Sequence, residues 1–203
     1  DGVIRYINIL LEQIERNSIA QEYLLEAKKG LNRIANITRS LLEFSHQVNL
    51  NPAQSKKYIA AHEVIDEALA VLTDSRNGNI RINKRYHRNS PRILDMGFSF
   101  VAFNIMKNAF DVMPEGGVLE INTEIKDQGL IVSFNDTGSG IAADIIGHIF
   151  EPFFTTKDMG KGTGLGLAIC NEIIHKYEGN IEFKSIPAQG STFIVTIPKK
   201  YLE

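Results

Sequence analysis

The 203-residue sequence lacks the features that define several classes of protein. Its single cysteine cannot form an internal disulfide, which is typical of proteins from a reducing compartment. It has no run of about 18 uninterrupted apolar residues, so no segment is predicted to cross a membrane. Its 22 basic and 24 acidic residues leave no positive excess to displace counterions from nucleic acid. We therefore expect a cytoplasmic chain with no nucleic acid partner and no membrane contact of its own, whether or not a longer parent is membrane-anchored.

The composition is that of a folded protein. A hydrophobic content of 43% and a net charge of −2 exclude a disordered chain, and the length predicts one or two domains. Glycine divides the sequence, with three glycines in residues 1–96 and eight in residues 129–166. The first part therefore predicts long helices, and the later part predicts loops that need unusual backbone angles or a close approach to a ligand.

Residues 1–50 predict a helical hairpin. Apolar residues recur at helical spacing in residues 3–16, and again three and four positions apart in residues 24–45. Ser18 offers an N-cap between the two segments. Two antiparallel helices cannot bury both apolar stripes between themselves, so we expect residues 1–48 to form a homodimeric four-helix bundle. The alternative is a hairpin that packs against the rest of its own chain.

A linker at residues 51–57 separates this hairpin from a predicted mixed domain at residues 58–203. In the second domain, segments with helical spacing alternate with segments of strand-like alternation. The predicted helices span residues 62–72, 98–112 and 165–177, and the predicted strands span residues 80–86, 118–125, 130–134, 181–185 and 192–197.

The predicted helix at residues 98–112 carries three polar residues on an otherwise apolar surface. Asn104, Asn108 and Asp111 are spaced i, i+4 and i+7, which places them on one face. Two amides and a carboxylate are costly to bury without partners. They therefore indicate a ligand site or, alternatively, a polar edge that faces water or caps a neighbouring element.

A second polar feature is Asp136, which ends a predicted strand and precedes Gly138 and Gly140. An aspartate here can accept a hydrogen bond from a ligand amine, while the glycines let the backbone approach the ligand closely. The alternative is an Asx-turn, in which Asp136 binds its own backbone. The tetrapeptide Asp-Thr-Gly-Ser is also similar to the aspartic-protease motif, but that chemistry needs two aspartates that share a proton, and this sequence has one such motif.

Four glycines alternate with other residues in a glycine ribbon, residues 160–166, directly before a predicted helix. Such a ribbon can turn backbone N–H groups toward an anion, with the helix N-terminus behind them. Lys157 and Lys161 add positive charge. The spacing matches neither the P-loop nor the dinucleotide-binding fingerprint. A plain flexible loop is the alternative.

Five motifs occur along the chain in the order Asn104-x3-Asn108-x2-Asp111, Asp136-x-Gly138-x-Gly140, Phe150-Glu151-Pro152-Phe153-Phe154, Gly160-x-Gly162-x-Gly164-x-Gly166 and Gly190-Ser191-Thr192-Phe193. This order resembles the ATP-binding domain of bacterial sensor histidine kinases over residues 58–198. Residues 1–48 resemble the dimerisation and phosphoacceptor hairpin of that family. The resemblance implies an α+β chain, in which the hairpin precedes an α/β sandwich whose mixed sheet is covered by helices on one face. It also implies ATP and Mg²⁺ as cofactors, and a second copy of the chain and a response-regulator receiver domain as partners.

The resemblance implies a role for each matching residue. Asn108 would ligate the Mg²⁺ that bridges the triphosphate, and Asp136 would accept the exocyclic amine of adenine. Thr192 would support the adenine through a water molecule. The segment at residues 150–160 would be a mobile lid with two lysines near the β- and γ-phosphates, and the glycine ribbon would present N–H groups to them. The predicted nucleotide-binding residues are Asn104, Asn108, Asp111, Asp136, Gly138, Gly140, Ile141, Phe150, Lys157, Lys161, Gly162, Thr163, Gly164, Leu165, Gly166, Leu167 and Thr192.

Asn104 is the predicted catalytic residue. Hydrolytic relatives carry at this position a glutamate that activates water, and an amide cannot act as a general base. Asn104 therefore favours transfer of the γ-phosphate to a histidine, and from there to an aspartate of a response regulator. An ATPase of the same superfamily that drives conformational work is the hydrolytic alternative.

The sequence departs from the family in one respect, since it lacks the phosphoacceptor box of a histidine followed by Glu or Asp and shortly by Asn-Pro or Thr-Pro. His62 precedes Glu63 but lacks the proline, and His46 lies at the end of the predicted second helix. We expect the chain to be part of a longer protein and to begin after its acceptor histidine, so that this part binds ATP without phosphorylating itself. The alternative is a degenerate signalling module that has lost the histidine and acts by binding nucleotide or by dimerising.

Overall fold

The computed structural model describes residues 2–14, 18–48, 57–74, 79–89, 91–158 and 162–203. Two helices form the first part, α1 (Gly2–Gln13) and α2 (Ile19–Val48). Ser18 caps α2 as predicted, because its hydroxyl accepts a hydrogen bond from the backbone N–H of Gln21 at 3.2 Å. The predicted linker, residues 51–57, lies outside the described residues apart from its last member.

Several of the apolar side chains that the structure describes on these two helices are exposed. Ile7 is the buried residue of α1, whereas Val3, Tyr6 and Tyr23 expose 60%, 70% and 71% of their surface. Apolar surface in water costs about 25 cal/mol per Å², so these stripes call for a partner surface. The homodimeric bundle stays a prediction. Within the described residues, no helix has the length and apolar content that a membrane span requires.

The second part contains the predicted helices and strands. In chain order, its elements are β1 (Tyr58–Ala60), α3 (Ala61–Asp74), β2 (Ile80–Arg85), β3 (Arg92–Leu94), α4 (Phe98–Asp111), β4 (Gly117–Lys126), β5 (Gly129–Asp136), a 3-10 helix (Ile146–His148), α5 (Gly166–Lys176), β6 (Asn180–Ile186), β7 (Gly190–Pro198) and a second 3-10 helix (Lys199–Tyr201). The sequence did not predict β1 and β3, because three residues are too few to show an alternating pattern.

Five strands form a mixed sheet in the order β2-β4-β5-β7-β6. β2 pairs with β4 in parallel, and the other neighbours pair antiparallel. β1 and β3 form a separate antiparallel pair. The register between β5 and β7 sets Asp136 opposite Ser191. This pairing joins two of the predicted motifs that are far apart in the sequence.

The core lies between one face of this sheet and the three helices α3, α4 and α5. Along β5, buried positions alternate with less buried ones, so that Val132, Phe134 and Asp136 share the buried face. β7 alternates in the same way, with Phe193 and Val195 buried. The fold therefore matches the predicted sandwich with helices on one face of a mixed sheet.

Tyr177, directly after α5, ties this helix to the chain that leads into α4. Its ring is fully buried. Its hydroxyl donates a hydrogen bond to the carbonyl of Leu94 at 2.7 Å and accepts one from the N–H of Met96 at 2.8 Å. Burial raises the pKa of Tyr177 above its usual range, so the hydroxyl keeps its proton at neutral pH. The far end of α5 is thereby fixed relative to the start of α4.

Candidate nucleotide-binding site

A cavity of about 380 Å³ opens between α4, the loop that follows β5 and the start of α5. Its volume lies within the range of small-molecule sites. Its wall combines polar and apolar side chains. The lining residues are Phe100, Phe103, Asn104, Lys107, Asn108, Ala109, Val112, Asp136, Gly140, Ile141, Ile145, Ile149, Phe154, Thr155, Thr156, Lys157, Gly162, Thr163, Gly164, Gly166, Leu167, Ser191 and Phe193.

The amides of α4 face this cavity, as one of the two interpretations of their spacing predicts. The side-chain N–H of Asn104 donates to the carbonyl of Phe100 at 3.0 Å. Its carbonyl oxygen lies over Gly166, since a Cβ there would be 2.7 Å from Asn104 Oδ1. The first turn of α5 therefore needs glycine to pass Asn104 this closely.

Asp136 is the buried carboxylate of the site, with 4% of its surface exposed. Its Oδ1 accepts hydrogen bonds from the N–H groups of Gly138 at 2.9 Å and Ser191 at 3.3 Å. The bond from Gly138 is the Asx-turn that the sequence left as an alternative, and it engages one oxygen only. Burial raises the pKa of Asp136, and the two backbone N–H groups act against that rise. Asp136 also lines the cavity, so it can serve the turn and a ligand together.

Ser191, rather than Thr192, is the residue of β7 that faces Asp136. The register pairs Asp136 with Ser191, and Ser191 lines the cavity. Thr192 points to the other face of the sheet, where its hydroxyl donates to the side-chain oxygen of Asn135 at 2.8 Å. The sequence held a signal for this assignment. Ser191 is two residues before the buried Phe193, and residues two apart in a strand lie on the same face.

Ser185 of β6 supports this end of the cavity from behind. Its hydroxyl accepts a hydrogen bond from the N–H of Ile141 at 2.8 Å and lies 2.9 Å from the hydroxyl of Ser191. It also donates a hydrogen bond to the carbonyl of Gly190 at 3.1 Å. Ser185 therefore connects two cavity-lining residues, Ile141 and Ser191, a role that no sequence pattern indicated.

The described part of the glycine ribbon, residues 162–166, also contributes to the cavity, which Gly162, Gly164 and Gly166 line. Gly164 has a φ of +68°, and a Cβ there would overlap the backbone carbonyl of Phe153. Its own carbonyl accepts a hydrogen bond from the N–H of Phe153 at 2.9 Å. The start of α5 follows at once, so its free N–H groups lie at the cavity, as in anion sites at helix N-termini.

Lys157 reaches across the cavity to α4. Its ammonium donates to Asn108 Oδ1 at 2.9 Å and to Asp111 Oδ2 at 2.7 Å. The side chains of Lys157 and Asp111 are 31% and 18% exposed, so this ion pair is sheltered from water on most sides. The sequence predicted Lys157 near phosphates and did not predict this partner.

Several predicted site residues lie outside the cavity lining. Phe150 packs edge-on against Phe183, with ring centroids 5.8 Å apart, and Phe154 lines the cavity in its place. Leu165 is buried in the core. The residues of the prediction that do not line the cavity are Asp111, Gly138, Phe150, Leu165 and Thr192, and Lys161 lies outside the described residues.

The prediction also missed apolar lining residues. Ile145 and Ile149, on the segment that follows Ile141, form an apolar wall with Phe193. Such a wall suits the faces of a flat ring. The three isoleucines recur every four residues, a helical spacing that is a weak signal in so short a segment.

The donor set of the site fits a magnesium ion held mainly by its nucleotide. Asn108 Oδ1 and Asp111 Oδ2 are hard oxygen ligands, and both already contact a cation, the ammonium of Lys157. Within the described residues, no group of three His, Cys, Asp or Glu side chains could form a metal cage. Magnesium with nucleotides commonly uses only one or two protein ligands, so the small set is sufficient.

Comparison with known proteins agrees with this geometry. Residues 93–201 match the family described as "Histidine kinase-, DNA gyrase B-, and HSP90-like ATPase". Because that match covers more than half of the sequence, the chain belongs to this ATPase family.

The curated relatives are sensor kinases. The chain is 34% identical to the sensor kinase CckA of Brucella abortus over 98% of this chain and 22% of the relative. It is 35% identical to sporulation kinase A of Bacillus subtilis over 98% of this chain and 30% of the relative. The chain thus spans less than a third of the length of these two proteins.

The solved structures include histidine kinase catalytic domains. The catalytic domain of the histidine kinase ThkA is 31% identical, with a TM-score of 0.64 over 72% of this chain and 97% of that chain. Full-length ShkA in complex with AMPPNP has a TM-score of 0.65 at 22% identity, over 93% of this chain and 41% of that chain, and supports the fold alone.

Proposed function

We propose that this chain is the ATP-binding part of a sensor histidine kinase of a two-component system. It binds Mg-ATP and passes the γ-phosphate to a histidine outside this chain, from which an aspartate of a response regulator receives it. The observation that carries the proposal is a single cavity lined both by a buried carboxylate, Asp136, and by Gly162, Gly164 and Gly166 at the start of α5. A base with an amine requires the first of these features, and a triphosphate requires the second.

The Asp136 end is suited to adenine. Within the described residues, Asp136 Oδ2 has no hydrogen-bond partner, while Oδ1 already accepts two N–H groups. A carboxylate accepts from the exocyclic amine of adenine and repels the carbonyl oxygen that guanine carries at the same position. Ser191 adds a hydroxyl beside it, and this residue takes the supporting role that the resemblance gave to Thr192.

The glycine-ribbon end is suited to the phosphates. The N–H groups at the start of α5 and the backbone of Gly162 and Gly164 supply donors, and the helix dipole adds partial positive charge. Lys157 supplies a full positive charge. Lys161 is assigned to the same end on the resemblance alone.

Asn108 is the proposed magnesium ligand, and a bound Mg²⁺ supplies neutralisation of the phosphate charge. In the transfer step, a nitrogen of the acceptor imidazole bonds to the γ-phosphorus as the bond to the bridging β–γ oxygen breaks, and ADP leaves. Asn104 has no basic group with which to activate water, which favours this transfer over hydrolysis.

The proposed partners are a second copy of the chain, through residues 1–48, and a receiver domain. A solved complex of the histidine kinase ThkA with the response regulator protein TrrA has a TM-score of 0.66 to this chain, at 22% identity and over 97% of this chain and 57% of that chain. A cytoplasmic location follows from the proposed function, because ATP and response regulators are intracellular.

The decisive test replaces Asp136 by Asn and measures ATP and ITP binding by calorimetry. The asparagine oxygen can keep both backbone N–H bonds, so its NH₂ group then faces the cavity. ATP affinity should fall at least about tenfold, since two donors now meet, and the preference should shift toward the carbonyl of ITP.

The matched control is Asp127→Asn in the exposed β4–β5 turn, which should bind ATP like the wild type. Unchanged ATP affinity in Asp136→Asn would remove the proposed base site and, with it, the proposed function.

A further inference from the structure

The ion pair between Lys157 and α4 has a chemical consequence for metal binding. The ammonium of Lys157 lies 2.9 Å from Asn108 Oδ1, the same oxygen that the proposed function assigns to magnesium. Magnesium requires its oxygen ligands at about 2.0–2.1 Å in octahedral geometry and repels a neighbouring cation. A magnesium ion therefore cannot bind this oxygen while the ammonium of Lys157 stays where it is.

The lysine is well placed to act as a substitute cation. It binds one neutral and one anionic oxygen at 2.9 Å and 2.7 Å, which offsets the charge of the sheltered Asp111 next to the cavity-lining Asn108. A partly buried carboxylate next to an amide oxygen is costly without a cation. Lys157 thus stabilises these oxygens in the nucleotide-free protein.

The stem of Lys157 is also in contact with the glycine ribbon. A Cβ on Gly162 would lie 3.2 Å from Lys157 Cβ and would overlap the hydroxyl oxygen of Thr155. The hydroxyl of Thr155 accepts a hydrogen bond from the N–H of Lys157 at 3.2 Å. The stem of Lys157 therefore lies next to a cavity-lining glycine, and its backbone is held by Thr155.

We propose that Lys157 is a resident counter-cation of the magnesium position, and that Mg²⁺ displaces it when Mg-nucleotide binds. The identity of the metal rests on the proposed function. The displaced ammonium becomes available to the phosphates, and its stem changes its position beside Gly162. Arrival of the metal is in this way coupled to a change in the contacts that Lys157 makes with Asn108 and Asp111.

The first experiment measures AMPPNP affinity of the 203-residue chain over a series of Mg²⁺ concentrations. Lys157→Met removes the ammonium and keeps an apolar stem of similar length. The Mg²⁺ concentration that gives half of the metal-dependent gain in affinity should fall about three- to tenfold, because no cation has to be displaced. An equal or higher midpoint in this variant would overturn the proposal.

Two control variants separate charge from structure. Lys157→Arg retains a cation that can bind both oxygens, so its midpoint should stay within about twofold of the wild type. Lys126→Met removes an exposed lysine that is paired with Glu124 at 3.0 Å, and it should leave the midpoint unchanged. An equal shift in Lys126→Met would mean that the effect is one of general charge and would overturn the proposal.

A second experiment needs no nucleotide. Mn²⁺ is titrated into the nucleotide-free protein while NMR follows the side-chain amide signal of Asn108. The signal should broaden at about three- to tenfold lower Mn²⁺ in Lys157→Met than in the wild type. Equal broadening in both proteins would refute competition.

The two experiments also separate this proposal from the proposed function. If the wild type binds no nucleotide and the Mn²⁺ midpoint still shifts, the competition stands and the kinase assignment fails. If nucleotide binds and neither midpoint shifts, the kinase assignment stands and the competition fails.

Discussion

The carboxylate of Asp136 is fixed by backbone N–H groups of its own turn and of the neighbouring strand, whereas the oxygens of Asn108 and Asp111 are held by a single side chain, Lys157. Asp136 and Ser191 occupy adjacent strands in fixed register. Lys157 lies in a segment without regular secondary structure. The first arrangement suits recognition of a rigid base, and the second suits a polyphosphate whose charge and metal enter and leave.

The largest effect in this comparison is expected at the glycine ribbon, from Gly164→Ala. The new Cβ would overlap the backbone of Phe153, and φ would remain at +68° only with strain. We expect AMPPNP affinity to fall at least about tenfold in calorimetry, because the backbone donors beside the phosphates must shift.

Gly147→Ala is the control for this change, since a Cβ at Gly147 meets open space. It should bind AMPPNP within about twofold of the wild type. If Gly164→Ala bound AMPPNP as tightly as the wild type, binding would not depend on the backbone conformation at Gly164, and the prediction would be wrong.

A smaller effect is expected at the base end, from Ser191→Ala. Loss of one hydroxyl beside Asp136 should weaken ATP binding about three- to tenfold, the range for one hydrogen bond. Thr192→Val, on the other face of β7, should change ATP affinity less than twofold, because the Thr192 hydroxyl bonds to Asn135 and does not line the cavity. If Thr192→Val weakened ATP binding more than Ser191→Ala did, the assignment of Ser191 to the cavity face of β7 would be wrong.

The smallest and most gradual effect is expected from pH. Burial raises the pKa of Asp136, so this carboxyl holds its proton to a higher pH in the folded protein than in the unfolded chain. As the pH rises through the window between the ordinary and the raised pKa, the contribution of Asp136 to the free energy of unfolding falls. ATP affinity should rise through the same window, because the ionised carboxylate is the better acceptor.

Thermal unfolding and calorimetry across the acidic range measure these opposite trends. Asp136→Asn, which has no proton to lose there, should lack both of them. Trends of the same sign in stability and affinity would contradict the assignment to Asp136.

The sequence predicted those parts of the site that follow from local pattern. The spacing of Asn104 and Asn108 on one helix face needs only the helical period, and both residues line the cavity. Gly164 needs positive φ for local reasons, which a glycine-rich pattern indicates. The helices and long strands were predicted for the same reason, because their periodicity extends over many residues.

What the sequence did not predict depends on contacts between distant segments. The choice between Ser191 and Thr192 depends on which face of β7 pairs beside Asp136, which requires the strand register. The two partners of Lys157, Asn108 and Asp111, lie 49 and 46 positions earlier in the chain. No local pattern specifies such a pairing.

The hydroxyl of Tyr177 anchors one end of α5. Since this side chain joins Leu94 and Met96 at the far end of the helix, that end cannot slide along the sheet without breaking two buried hydrogen bonds. The other end is held as well, because Gly166 passes close to Asn104 and Leu165 is buried. The N–H groups at the start of α5 are therefore fixed in place before any ligand arrives.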